Sequence, residues 1–186
     1  MSKAKRFFPD LKSLIVSTVV ILLLLIFAVV VTDHNNVRRL HRYLWEAEAA
    51  KEACYSLIEQ RLGYAKALVL IIDNQVDTDR VEEVIGRWDA AASVDEASVL
   101  YKTLDDELAL LQRKAVEHES YRAWSPYFDR MYLLELELVD ISAHYQERTE
   151  FFNAQKGGFP ARLAAKRHNL EDLLLFDFGS SLKGRP

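Results

Sequence analysis

The sequence predicts an all-α protein in which an N-terminal transmembrane helix is followed by an antiparallel bundle of three to four long helices. Three observations indicate this fold class. The 186 residues include only six glycines and four prolines, too few for the frequent turns of a β-sandwich or β-barrel. A run of twenty residues near the N terminus carries no charge. In the remainder, apolar residues recur every three to four positions, as in amphipathic helices.

The uncharged run covers residues 13–32 and is flanked by Lys12 and Asp33. As a helix it is about 30 Å long, which matches the hydrocarbon core of a bilayer. The run exceeds the apolar region of a typical signal peptide, and no Ala-x-Ala cleavage site follows it. We therefore predict an uncleaved signal anchor at 13–32, preceded by a basic tail at 1–12.

The orientation of this helix is predicted from the Lys and Arg residues near its two ends. Four precede it and three follow it at a greater distance, namely Lys3, Lys5, Arg6 and Lys12 against Arg38, Arg39 and Arg42. The positive-inside rule therefore favours a cytoplasmic N terminus, with the bundle on the other side of the membrane.

The first soluble helix is predicted to continue directly from the membrane helix. No proline lies between Asp33 and Gln75, and an apolar stripe with a period near 3.5 begins at Val37. Arg61 falls within this stripe and interrupts it. A break near 73–79 leads to a shorter helix over 79–92. Ser93 and Glu96 then form a capping box for the next helix.

The last long helix is predicted to begin at Ser125-Pro126 and to end at Gly157-Gly158, since proline suits a first turn and glycine a helix end. Pro160 then opens a short helix that runs through His168. Narrow apolar stripes need partners, which predicts a bundle domain at 33–168 and a tail at 169–186. A parallel coiled-coil dimer is the alternative, but the breaks between the helices favour folding back within one chain.

Charge differs between the two parts of the soluble region. Residues 34–155 hold 14 Lys and Arg against 23 Asp and Glu, so we expect no nucleic-acid partner. Residues 156–186 hold six basic against three acidic residues. This basic end either contacts anionic headgroups or is simply solvated. The single cysteine, Cys54, excludes an intramolecular disulfide framework and falls in an apolar register typical of a core residue.

No pattern typical of a catalytic site or a cofactor site is found. The chain has neither a phosphate-binding glycine loop nor a Gly-x-Ser-x-Gly elbow. Glu137, Asp140 and His144 share roughly one helix face, but the Glu-x-x-His pairs of a bundle metal site do not occur. We predict no catalytic residue, no metal and no cofactor, and interpret these three residues as a solvated face.

The C-terminal part resembles the LemA family. The resemblance lies in Tyr145, in Phe152-Asn153, in Phe159-Pro160 and in Leu163, which follow the order and spacing of that family's motif. Residues 175–178, Leu-Phe-Asp-Phe, resemble the aromatic and acidic ending that follows it. In the first long helix the family signature is retained only at Arg61, Leu68 and Val69. The chain thus resembles a divergent member, and we expect Phe159 to pack back on the bundle.

The resemblance implies a bacterial protein anchored in the cell membrane, without an established catalytic activity, whose domain is often drawn on the cytoplasmic side. This placement is opposite to that favoured by the charge rule. Our first hypothesis is a non-enzymatic scaffold that contacts the bilayer through 13–32 and binds other proteins or copies of itself. A membrane-linked sensor or signal-transduction module is the alternative. A metal-dependent enzyme using Glu137, Asp140 and His144 is the third hypothesis.

Overall fold

The computed structural model describes residues 11–72 and 75–178, and within these ranges the chain forms helices and no strand. The helices are α1 (Leu11–Ile72), α2 (Asp79–Trp88), α3 (Val94–Val116), α4 (Tyr121–Gly157) and α5 (Ala161–Arg167). The all-α prediction is confirmed. Most of the predicted basic tail (1–10) and the end of the predicted C-terminal tail (179–186) lie outside the described residues.

Helix α1 has 62 residues and continues without interruption from the apolar run into the soluble sequence. Its N-terminal part is long and apolar enough to cross a membrane, and none of its most apolar stretch is buried within the protein. The Thr18 hydroxyl donates to the Leu14 carbonyl oxygen at 2.8 Å, so this polar group is paired within the helix. The predicted continuity of the two helices is confirmed.

The chain divides into two compact units. Among the described residues, the first unit comprises 11–42 together with Ala154–Glu171. The second unit comprises Tyr43–Asn153 together with 172–178. The division crosses the predicted boundary between bundle and tail, because 169–171 belong to the first unit and 172–178 to the second.

The second unit has one large hydrophobic core. Helices α1 to α4 all contribute to it, each through residues three or four positions apart. Helix α3 begins at the predicted place, since the Ser93 hydroxyl accepts a hydrogen bond from the Glu96 amide at 3.1 Å. The largest fully buried apolar side chains in the core are Trp124, Tyr145, Ile58, Leu68, Ile72, Leu100, Leu104 and Leu134.

Helix α4 begins at Tyr121, four residues before the predicted start at Ser125. Pro126 therefore lies inside the helix, where it leaves the Arg122 carbonyl without its usual amide donor. The Ser125 hydroxyl approaches this carbonyl at 3.5 Å. Trp124 is 1% exposed and stacks on His118, so burial of this side chain favours the extra turn. The predicted end of the helix is confirmed, since α4 stops at Gly157.

The first unit has a small core in which α5 packs on α1. Leu40 is buried with Ala164 and Ala165, and Val37 packs against them. Arg167 forms an ion pair with Asp33, which lies on α1 one turn before Val37. Helix α5 ends at Arg167 and is capped by His168, as the sequence predicts for the turn that Pro160 opens.

Candidate functional site

The most polar buried feature of the second unit is a cluster of charged side chains around Arg61. Arg61 of α1 is 4% exposed. Its Nη2 forms an ion pair with Asp105 of α3 and another with Glu135 of α4, the latter at 3.3 Å. Its guanidinium also lies 5.2 Å from the centre of the Tyr101 ring, a distance typical of a cation–π contact. The cluster therefore connects three helices.

The charges in this cluster do not balance when both carboxyl groups are ionised. Burial raises the pKa of the Glu135 carboxyl from 4.5 to about 7, against the opposing effect of Arg61 and with a smaller contribution from Asp105 in the same direction. Glu135 therefore titrates near neutral pH, whereas ordinary glutamates are ionised there. The cluster can therefore hold one proton, on Glu135, within the core. We interpret it as a structural network of ion pairs.

Two further residues of the family signature in α1 lie in or against the same core. Leu68 has no exposed surface, and Val69 is partly buried and packs against the core. Cys54 is also fully buried, as predicted, and burial raises the pKa of its thiol to about 11. A thiol with this pKa is protonated at neutral pH and is a poor nucleophile.

The C-terminal motif residues of the second unit bind a segment without regular structure. The Asn153 side-chain amide donates to the Leu173 carbonyl at 2.9 Å, and its oxygen accepts from the Leu173 amide at 3.0 Å. The Tyr145 hydroxyl donates to the Leu174 carbonyl at 2.8 Å. Phe152 has no exposed surface. We call residues 172–178 the return segment, because three side-chain hydrogen bonds hold its start against α4.

The return segment supplies an aromatic side chain to the core. Phe176 is 5% exposed, and its ring lies 5.7 Å from Tyr55 and 5.9 Å from Tyr101, edge to face in both cases. Edge-to-face geometry is favourable for aromatic pairs. The Asp177 amide donates to the Ser98 hydroxyl at 3.0 Å, and its carboxylate pairs with Lys102. The return segment, which lies within the predicted C-terminal tail, thus completes the core of the second unit.

The remaining motif residues lie in the first unit, at the turn between α4 and α5. Phe159 is 87% exposed and Leu163 62% exposed, so the expectation that Phe159 packs back on the bundle is wrong. The Phe159–Pro160 peptide bond is cis, and Pro160 directly precedes α5. Phe159 and Leu163 instead form part of the wall of a groove of about 440 Å³ that also includes Leu25 and Val29 of α1.

The residues of the metal hypothesis are not gathered into a ligand set. Glu137, Asp140 and His144 are exposed on α4, and no group of three or more His, Cys, Asp or Glu side chains in residues 11–72 and 75–178 is placed to hold a metal ion.

His118 has a local role, since its Nδ1 accepts a hydrogen bond from the Ser120 amide at 3.1 Å.

Sequence reasoning missed Asp105 and Glu135, although a signal for them was present. Arg61 interrupts an apolar stripe, and a charged residue at a core position needs an oppositely charged partner. Asp105 and Glu135 directly follow Leu104 and Leu134, which are core residues. The partners could therefore have been sought among the acidic residues next to buried leucines.

Comparisons with protein-family models, with curated proteins and with solved structures find no match. The LemA resemblance therefore stays a prediction that depends on the sequence motif itself.

Proposed function

We propose that this chain is a single-pass membrane protein of LemA type whose helices form an antiparallel bundle, and that it acts as a non-enzymatic scaffold at the bacterial cell membrane. Residues 13–32 are its uncleaved signal anchor, and its partners are other proteins or further copies of itself. The exposed apolar part of α1 supports the membrane anchor. The arrangement of Arg61, Tyr145 and Asn153 as packing residues supports a structural role for the motif.

The observation that carries the scaffold proposal is an apolar patch on the outer side of α4. Leu133, Leu136 and Val139 are 48%, 38% and 46% exposed, and their spacing of three places them on neighbouring parts of one helix face. Buried residues on other faces of the same helix already serve the core. Contiguous exposed apolar residues are typical of protein interaction surfaces. We call these three residues the α4 patch.

A photo-crosslinking amino acid at position 136 tests this proposal in intact membranes. We expect a discrete crosslinked product, which a Leu133→Glu substitution in the same chain abolishes. The matched control carries the crosslinker at Arg87, an exposed position on α2, and should give no such product. If position 136 gives no discrete product, the scaffold proposal in this form is wrong.

We further propose that the N terminus lies in the cytoplasm, as the charge rule favours. The natural Cys54 is buried, so Cys54→Ser combined with Ala90→Cys places one exposed thiol on the soluble part. A membrane-impermeant maleimide should label this thiol in cells whose outer membrane alone has been opened. Labelling that requires rupture of the inner membrane would place the bundle in the cytoplasm, as the family resemblance implies.

The continuity of α1 supports a sensor module as a second candidate function. Residues 33–36, directly after the predicted span, are helical and join it to the rest of α1. Seven inserted residues make about two helical turns, so seven alanines between Asn35 and Asn36 preserve both helix and phase, whereas seven glycines break the helix. In a sensor, the glycine insertion should abolish complementation of a deletion strain and the alanine insertion should retain it. Equal complementation by both would reject this candidate.

A further inference from the structure

The first unit contains a groove whose walls are mainly apolar, and its polar lining residues are Thr32, Asp33 and Asn36. Leu25 and Val29 of α1 form one side, and Phe159 and Leu163 form the other. The groove extends along α1 as far as Asn36 and has a volume of about 440 Å³. Exposure of the Phe159 and Leu163 side chains to water is unfavourable, because removing apolar surface from water lowers the free energy.

A second cavity, of about 410 Å³, shares Phe159 and Leu163 with the groove and adds two cations, Arg162 and Lys166. Helix α5 contains three basic residues and no acidic one. Arg167 pairs with Asp33, whereas Arg162 and Lys166 have no ion pair in the described part of the chain. The apolar groove is thus continued by a basic surface.

The depth of the groove follows from helix geometry. Leu25 and Val29 belong to the predicted span, and at a rise of 1.5 Å per residue Leu25 lies about 10 Å inside its end at Thr32. A soluble protein partner does not reach this depth, whereas lipid acyl chains fill it. Asn36 lies past the end of the span, so the groove crosses from the hydrocarbon region to the headgroup region. The basic residues of α5 then border on the headgroups.

We propose that the groove binds an acyl chain of an anionic phospholipid, whose phosphate lies between Arg162 and Lys166. The apolar walls match the chain, and the two cations match the charge of the headgroup. The proposal rests on the proposed insertion of residues 13–32 in the membrane. A membrane anchor alone would select no lipid headgroup, whereas this site would prefer an anionic phospholipid at the groove.

The test uses the full chain reconstituted in bilayer nanodiscs of phosphatidylcholine and phosphatidylglycerol. A tracer lipid with a photoactivatable diazirine in its acyl chain is either phosphatidylglycerol or phosphatidylcholine, and the crosslinked residues are mapped by mass spectrometry. We expect the phosphatidylglycerol tracer to label Phe159, Leu163 and the adjoining part of α1 roughly tenfold more than the phosphatidylcholine tracer, since each basic residue favours anionic lipid. Labelling within 15–22 should show no headgroup preference.

Two double substitutions separate the roles of charge and apolar surface. Arg162→Glu with Lys166→Glu should remove the preference for phosphatidylglycerol at the groove, roughly a tenfold loss. Phe159→Ser with Leu163→Ser should reduce labelling by both tracers at the groove, at least about fivefold. The matched controls, Arg87→Glu with Arg122→Glu and Leu70→Ser with Val99→Ser, change exposed residues of the second unit outside the α4 patch and should leave the labelling pattern unchanged.

The outcomes distinguish this proposal from the proposed membrane anchor. Labelling within 15–22 shows that the helix is inserted, whatever happens at the groove. Equal labelling by the two tracers at the groove, or unchanged labelling in the substituted chains, would overturn the lipid site while leaving the anchor intact. An absence of labelling along 15–22 would overturn both the anchor and the lipid site.

Discussion

The two units of the molecule use apolar residues in opposite ways. In the second unit, Phe176 is 5% exposed and lies between two tyrosines. In the first unit, Phe159 is 87% exposed and lies beside the predicted membrane span. Most of the buried apolar residues of the second unit belong to one large core, although the α4 patch stays exposed. In the first unit only a few apolar residues, such as Leu40 and Ala164, are buried. The apolar residues within 14–31 are exposed, as the proposed insertion in a membrane would require.

The largest effect should come from removing the cation of the buried cluster. Arg61→Ala leaves Asp105 and Glu135 in the core without their common partner, and unpaired buried charges cost about 3–5 kcal/mol. Chemical denaturation of the full chain in detergent, followed by circular dichroism, measures the loss. The exposed Arg87→Ala should change the free energy of unfolding by less than about 0.5 kcal/mol. Equal effects of the two substitutions would show that the cluster contributes little.

Substitution of Phe176 and of Phe159 tests most directly whether the two units differ in how they pack their apolar side chains. Phe176→Ala should destabilise the second unit by about 3 kcal/mol, because it leaves a cavity between Tyr55 and Tyr101. Phe159→Ala should have almost no effect on unfolding in detergent, since its ring is already exposed. Denaturation midpoints of both variants measure the difference. A large loss in the Phe159 variant would show that this side chain packs within the protein.

The stability of the second unit should depend on pH through Glu135. Since its folded pKa is raised to about 7 from 4.5, the folded state binds the proton more tightly than the unfolded state. The resulting stabilisation is fully present below pH 4.5 and is lost as the pH rises through 7. Linkage predicts a fall of about 2 kcal/mol between pH 5 and pH 7 from this group.

Denaturation curves at several pH values measure this fall. Glu135→Gln should abolish this contribution, because glutamine does not titrate. Glu137→Gln, which changes an exposed residue on the same helix, should retain it. A similar pH dependence in the Glu135→Gln protein would assign the effect to another group.

The most local effect should follow from releasing the return segment. Asn153→Ala removes both hydrogen bonds to Leu173 and should cost about 1–3 kcal/mol. The loss should be local, so amide hydrogen exchange at Leu173 and Asp177 should accelerate while that of α3 changes little. Asn153→Asp provides a partial rescue, since it keeps the acceptor for the Leu173 amide and loses the donor. Uniform acceleration throughout the second unit would contradict a local role.

Local patterns in the sequence predicted most of the helices. The apolar stripe from Val37, the cap at Ser93 and the end at Gly157 each depend on neighbouring residues alone. The predicted start of α4 at Ser125 was wrong. Proline is tolerated near the N terminus of a helix, and burial of Trp124 favours one more turn before it. The sequence resemblance found Tyr145 and Asn153, but not what they bind. Their partners lie about 20–29 residues further along, and no periodicity reports such contacts.

The exposure of Phe159 illustrates a different obstacle. A large apolar residue after a helix break is ordinarily expected to return to the core, and the residue pattern is the same whether the surroundings are protein or lipid. Only the folded chain places Phe159 in one groove with Leu25 and Val29 of the predicted span, within one unit.

The return segment also bears on the order of events during synthesis. Phe176 is translated after all five helices, yet it fills a position between the first and the third of them. While the ribosome is still translating α5, Tyr55 and Tyr101 have no ring between them. Because domains form in the order of translation, the incomplete core exposes an aromatic surface at that stage. Chains that are released after truncation before Leu173 should therefore attract chaperones that released chains retaining residues 172–178 do not.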